Sequence, residues 1–154
     1  ADETHGMKLK MVDVTNIEDM KVVGTFGSNT AFGSIPHNPI IVGDKCFVSY
    51  YHDGLVVFDI SDPTNVFIAD AYDTYPNNKD TVYNGYEGCW GVYPLFSSGL
   101  IAASDMTHGL FLFKTKNWDN PLKKTLDQEQ QFTINLNRQK VNILFTVQSH
   151  FFLW

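Results

Sequence analysis

The sequence predicts an all-β chain of four-stranded antiparallel blades, β-propeller-like, forming an incomplete ring of about two and a half blades. Three observations carry this. Phe, Tyr and Trp make up 14% of the 154 residues, and the apolar runs are rich in Val, Ile, Phe and Tyr, which favour pleated sheet. The stretch Gly54 to Tyr72, GLVVFDISDPTNVFIADAY, reads as a hairpin, with two apolar runs flanking the polar turn Ser61-Asp62-Pro63-Thr64-Asn65. That hairpin also recurs along the chain.

The first copy is MKLKMVDVTNIEDMKVVGTF. Setting Asp13 on Asp59, an offset of 46 residues, places Leu9 on Leu55, Val12 on Phe58, Val14 on Ile60 and Phe26 on Tyr72. A later copy lies at an offset of 55, where Gly109 to Phe113 falls on Gly54 to Phe58 and Lys114 replaces the aspartate. Between the copies stand the other strands of the unit. His37 to Val42 reads as a strand, Gly43-Asp44-Lys45 as its turn, and Cys46 to Tyr51 as the next strand. His52-Asp53-Gly54 then carries the Asp-Gly hairpin signal. In the last unit the strands are expected over Gly91 to Leu95, Leu100 to Ser104, Gly109 to Lys114 and Leu122 to Leu126.

Four strands recurring every ~45 to 55 residues is the period of a propeller blade. The organisation expected is a partial propeller over residues 1–126, comprising a half blade (1–30), a full blade (37–73) and a last blade (89–126). Residues 127–154 are a separate capping, anchoring or sorting segment, in which the alternation of Phe132 to Leu136 and the apolar run after Val141 predict two more strands. Open blades leave unpaired edges and uncovered apolar faces, so the remaining blades of the same protein or a partner chain are expected to cover them.

A net charge of −6, from 11 Lys and Arg against 17 Asp and Glu, argues against nucleic acid and against an anionic membrane surface. No apolar run reaches the ~18 residues that would span a bilayer. The polar opening ADETHG lacks a signal-peptide pattern and reads as a cut start. Cys46 and Cys89 have no metal-knuckle spacing; each reads either as a buried small hydrophobe or as half of a disulfide.

The runs LVVFDISDPTN and MVDVTNIEDMKVVGTF resemble the LVIVD repeat of bacterial and archaeal surface proteins. The order His37-Asn38, Gly54 to Pro63, Asp73-Thr74-Tyr75-Pro76, Trp90 to Pro94, Ser98-Gly99, Ser104-Asp105 and Gly109 to Leu112 resembles the end of the propeller in choice-of-anchor B family proteins, over about half the chain. The stretch Phe132 to Val141 is faintly similar to a strand of type IX sorting domains. The resemblance implies an exported protein at the surface of a Gram-negative bacterium, with carbohydrate, surface proteins or export machinery as partners. It implies no catalytic residues.

Candidate ligand-binding residues are His37, Asn38, Tyr75, Tyr83, Tyr86, Trp90 and Tyr93. His37 opens an innermost strand, where an imidazole would face the central channel and serve as one ligand of a divalent metal. Cys89-Trp90 occupies the equivalent place in the next blade, so one histidine stands where a site needs several. The tyrosines and Trp90 surround the longest connection, Asp73 to Gly88, and such amphipathic rings suit a carbohydrate or protein partner. His5, His52 and His108 beside turn glycines read as solvated. The carboxylates Asp53, Asp59, Asp62, Asp70 and Asp73 lack calcium-loop spacing and read as turn caps. No phosphate-binding glycine loop and no nucleophile elbow is present. The expected function is a non-enzymatic binding or scaffold module, with no cofactor; the alternative is a metal-dependent propeller hydrolase or lyase using His37.

Overall fold

The chain is all-β. A computed structural model describes residues 1, 3–28, 33, 35–76, 83 and 85–114, together with the backbone of two strands at 130–136 and 139–145. The strands are β1 (Leu9–Asp13), β2 (Lys21–Phe26), β3 (Asn38–Val42), β4 (Lys45–Ser49), β5 (Leu55–Asp59), β6 (Phe67–Tyr72), β7 (Cys89–Tyr93), β8 (Leu100–Asp105), β9 (Gly109–Lys114), β10 (Gln130–Leu136) and β11 (Gln139–Phe145). All pairings are antiparallel between sequence neighbours, giving the sheets β1-β2, β3-β4-β5-β6, β7-β8-β9 and β10-β11. No closed sheet forms among the described residues. Nor is any helix among them long and apolar enough to cross a membrane. The strand expected at Leu122 to Leu126 lies outside the described residues.

The four-stranded sheet is packed on both faces. Cys46, Val48, Tyr50, Val56 and Phe58 turn one way and close a core with Leu9 and Phe26 of the first hairpin. Phe47, Leu55 and Val57 turn the other way and meet Cys89, Val92, Ile101 and Ala103 of the third sheet. The alternation follows from the pleat, because Cys46 sits opposite Phe58 and Val48 opposite Val56, while Phe47 sits opposite Val57. This double burial explains why Leu55 to Phe58 is one continuous apolar run rather than an alternating one. The two cysteines are free and buried in different cores, and burial pushes the thiols up to about 11 for Cys46 and about 12 for Cys89. A disulfide between them would have to pass through the central sheet.

The first hairpin and the β5-β6 hairpin match in detail. Each carries a bulge at the equivalent place, Val23 being the extra residue between Met11/Gly24 and Val12/Val22, and Ala69 between Val57/Asp70 and Phe58/Ile68. Asp13 Oδ1 accepts from the Thr15 amide (2.9 Å) and hydroxyl (2.7 Å), as Asp59 Oδ1 does from those of Ser61. Asn16 and Asp62 then cap the amides of Glu18 and Thr64. These short side chains fix the turn locally, which is the turn-capping role read from the sequence. Strand limits differ from the sequence reading by one or two residues, most tellingly where the central and third sheets meet. The fourth strand ends at Ser49 because Tyr51 leaves the sheet with φ 39°, and the seventh begins at Cys89, whose backbone bridges to Tyr51.

The two end sheets keep apolar outer faces. Leu110 and Leu112 of β9 are 68% and 61% exposed, at register positions that Leu55 and Val57 occupy in the central sheet, where both are buried. On β1 and β2, Val12 and Val22 are exposed in the same way.

Phe58 is buried against Phe26 (ring centroids 4.9 Å apart) and Tyr50, so Phe58→Ala is expected to cost about 3–5 kcal/mol in a denaturant melt. Ile68→Ala, on the edge strand β6, whose residues are all at least partly open to solvent, is expected to cost about 1 kcal/mol or less. Equal losses would contradict the double-faced core.

Asp59 gives a pH-dependent test. The Ser61 hydroxyl and amide, then Lys45 at 3.0 Å, hold its pKa down at about 2. A depressed carboxyl pKa stabilises the fold above the unfolded value of ~3.9 and loses that contribution as pH falls towards the folded value. Asp59→Asn is therefore expected to melt below the wild type at pH 7, with the gap closing between about pH 4 and pH 2. A gap independent of pH would overturn the assignment.

Candidate functional site

The junction between the central and third sheets places the candidate residues. Tyr51 and Cys89 exchange two backbone hydrogen bonds, Tyr51 N–H to Cys89 O (3.0 Å) and Cys89 N–H to Tyr51 O (2.9 Å), which tie the β4-β5 turn of the central sheet to the start of β7. The contact needs three local departures from regular strand. Tyr51 takes φ 39°, the only positive φ of a non-glycine residue among the described residues. Gly88 sits at φ 95° with its Cα directly against the Tyr51 carbonyl, a place no side chain fits. Trp90 is the extra residue of a bulge, because Cys89 pairs with Asp105 while Gly91 pairs with Ser104. Its carbonyl, thrown off the ladder, accepts from the buried Ser49 hydroxyl at 3.0 Å.

These departures re-aim side chains, as bulges beside binding sites do. Trp90 turns out to solvent, 53% exposed, with its indole stacked on the His37 imidazole at 5.3 Å and 25°. His37 is held from behind: its Nδ1 contacts the Glu3 carboxylate and lies 3.3 Å from the Tyr51 hydroxyl. The Tyr51 hydroxyl also donates to Glu3 Oε1 at 3.4 Å. Tyr86, half exposed, packs edge-on against Tyr51 with centroids 5.3 Å apart. Burial lowers the His37 pKa, and burial followed by the nearby Tyr86 raises that of Tyr51. Against the carboxylate, Nδ1 of His37 carries a proton.

A second group adjoins it. His52 is buried, contrary to the solvated turn residue expected from its Asp-Gly context. It stacks on Tyr83 (4.5 Å, 13°) and meets Tyr75 edge-on at 5.7 Å. Gly54, at φ 77°, lies in direct contact with the Tyr72 carbonyl and permits that approach. Tyr75 also meets His108 at 5.5 Å, and its hydroxyl donates to Glu87 at 2.5 Å. Beneath, buried Asp105 accepts from Thr74 Oγ1 (2.7 Å) and from the amides of Thr107 and His108 (2.8 Å each).

Of the seven residues expected from the sequence, His37, Tyr86 and Trp90 meet in one cluster and Tyr75 and Tyr83 in its neighbour. Asn38 is exposed at the head of β3, and Tyr93 lies at the far end of β7, edge-on to Phe96 at 4.8 Å. Glu3, Ser49 and Tyr51 were missed. Glu3 stands in a polar stretch with no pattern of its own, and the positive φ of Tyr51 has no sequence signal, since aromatic residues rarely adopt it. Among the described residues no three His, Cys, Asp or Glu side chains converge on a metal site, and His37 faces a single carboxylate.

Comparison with family models, with curated proteins and with solved structures found no match.

The bridge is testable through two glycines of similar conformation. Gly88→Ala drives a methyl group into the Tyr51 carbonyl, whereas Gly85, at φ 86°, has open space around its Cα. Gly85→Ala should cost only the left-handed strain, about 1–2 kcal/mol. Gly88→Ala should cost clearly more and alter the near-ultraviolet circular dichroism of the ring cluster. Equal effects would mean that the bridge does not hold the rings.

Proposed function

We propose that this chain belongs to an exported cell-surface β-propeller and acts as a non-enzymatic binding or scaffold module. The observation that carries the reading is the built aromatic cluster of Trp90, His37, Tyr51, Tyr86 and Glu3. It exposes two large amphipathic rings beside one carboxylate, and three backbone irregularities are devoted to its presentation. Exposed aromatic anchors supported by fixed polar groups suit recognition. Among the described residues no group of three His, Cys, Asp or Glu side chains that could hold a metal lies in the cluster.

The propeller part of the proposal rests on other features. Stacked antiparallel sheets, matched hairpins with equivalent bulges and turn caps, and apolar outer faces on both end sheets suit successive blades of a larger ring. The resemblance to choice-of-anchor B proteins supports the same view and adds the surface location. The remaining blades, or a partner chain, would cover the outer faces.

The reading predicts that the purified chain sediments with isolated cell-envelope polymers, and that Trp90→Ala and Tyr86→Ala release it. It also predicts no turnover of ester, phosphoester or glycoside substrates after loading with zinc, manganese or calcium. A stoichiometric transition metal together with turnover, both lost on His37→Ala, would overturn it in favour of a hydrolase or lyase.

A further inference from the structure

We infer that Trp90, His37 and Glu3 form a subsite for a neutral saccharide, an assignment that rests on the binding-module reading above and names its ligand class. The shape of the cluster is that of a platform. His37 lies against one face of the Trp90 indole, nearly parallel to it, while the residue remains 53% exposed. The open face is thus flat, apolar and backed by a second ring, which holds it against rotation. The apolar C–H face of a pyranose stacks on such a surface.

Polar groups stand at the rim of the platform. One imidazole joins its two ends, stacking on Trp90 and holding the Glu3 carboxylate through Nδ1. That carboxylate side chain is 43% exposed, so it keeps lone pairs free of its contacts with His37 and Tyr51. A carboxylate has about four acceptor positions and binds two neighbouring hydroxyls at once through short charge-assisted bonds. The half-exposed Tyr86 adds an amphipathic wall.

Charge and geometry narrow the class. The half-exposed Glu3 carboxylate stands at the rim, on a chain of net charge −6, so uronic acids, sialic acids and phosphorylated sugars are repelled. A quaternary ammonium group would instead require several ring faces turned on one point. Here Tyr51 and Tyr86 meet edge to face at 62°, and Trp90 has one face already covered.

The presentation is costly to maintain. Tyr51 in the left-handed region, the bulge at Trp90 and the Ser49 hydroxyl spent on the bulged carbonyl all serve to place these rings. Strain of this kind persists where the surrounding structure holds a functional geometry.

The test uses the whole chain against an array of neutral and acidic glycans, followed by saturation-transfer NMR and calorimetry with the neutral glycans that bind. A neutral saccharide is expected to bind, and Trp90→Ala is expected to weaken it at least about tenfold, or ~1.4 kcal/mol. Trp90→Tyr should recover part of the affinity, and Glu3→Gln should weaken neutral glycans while admitting uronic acids. Because Trp90 is half exposed, thermal melting of its variants should match the parent. Saccharide affinity unchanged in both Trp90 variants would overturn the assignment, as would binding of tetramethylammonium with no glycan bound. Envelope binding that survives periodate but not protease would also defeat the saccharide, while leaving the binding-module reading intact.

Discussion

The central sheet, buried on both faces, is the constraint on which the other features of the molecule depend. The strands β4 and β5 supply side chains to two separate cores, so every residue from Cys46 to Ser49 and from Leu55 to Phe58 is buried. A pleated strand can do this only if another sheet lies on each side at the usual ~10 Å spacing. The first hairpin and the third sheet are therefore held in place by what they cover. The same geometry keeps Cys46 and Cys89 apart and leaves both as buried small hydrophobes.

Stacking one sheet on another creates a problem where β7 starts against the β4-β5 turn of the central sheet, because buried backbone groups at that junction must be paired. The bridge between Tyr51 and Cys89 answers this need, with Gly88 permitting the close approach. The left-handed residue Tyr51 and the bulge at Trp90 both lie at this junction. At this junction the Trp90 and Tyr86 rings are half exposed, while Tyr51 beside them is buried. The candidate site is thus a product of the sheet junction, and its residues come from four separate parts of the chain.

The outer faces of the end sheets follow the same register rule. Leu110 and Leu112 stand where Leu55 and Val57 stand, yet nothing among the described residues covers them. The pattern that buries one pair therefore exposes the other, and among the described residues the difference lies in the presence of a neighbouring sheet.

Much of this architecture was legible in the residues. Hairpins at Asp13 and Asp59, the Asp-Gly turn before Leu55 and the positive φ at Gly54 and Gly109 all depend on contacts within a few positions, where turn chemistry is written directly. His37, Tyr86 and Trp90 could be selected because aromatic and imidazole side chains around a long connection are conspicuous. Only the tertiary structure decided that Trp90 faces solvent, that His52 is buried beneath Tyr83, and that Glu3 reaches His37. The reason is physical. Period-two alternation fixes which residues share a face, but an unbroken apolar run such as Leu55 to Phe58 does not say what lies over each face. Local sequence determined the strands and turns; the stacking of sheets, through contacts between residues as distant as His37 and Trp90, determined which side chains were left to form a site.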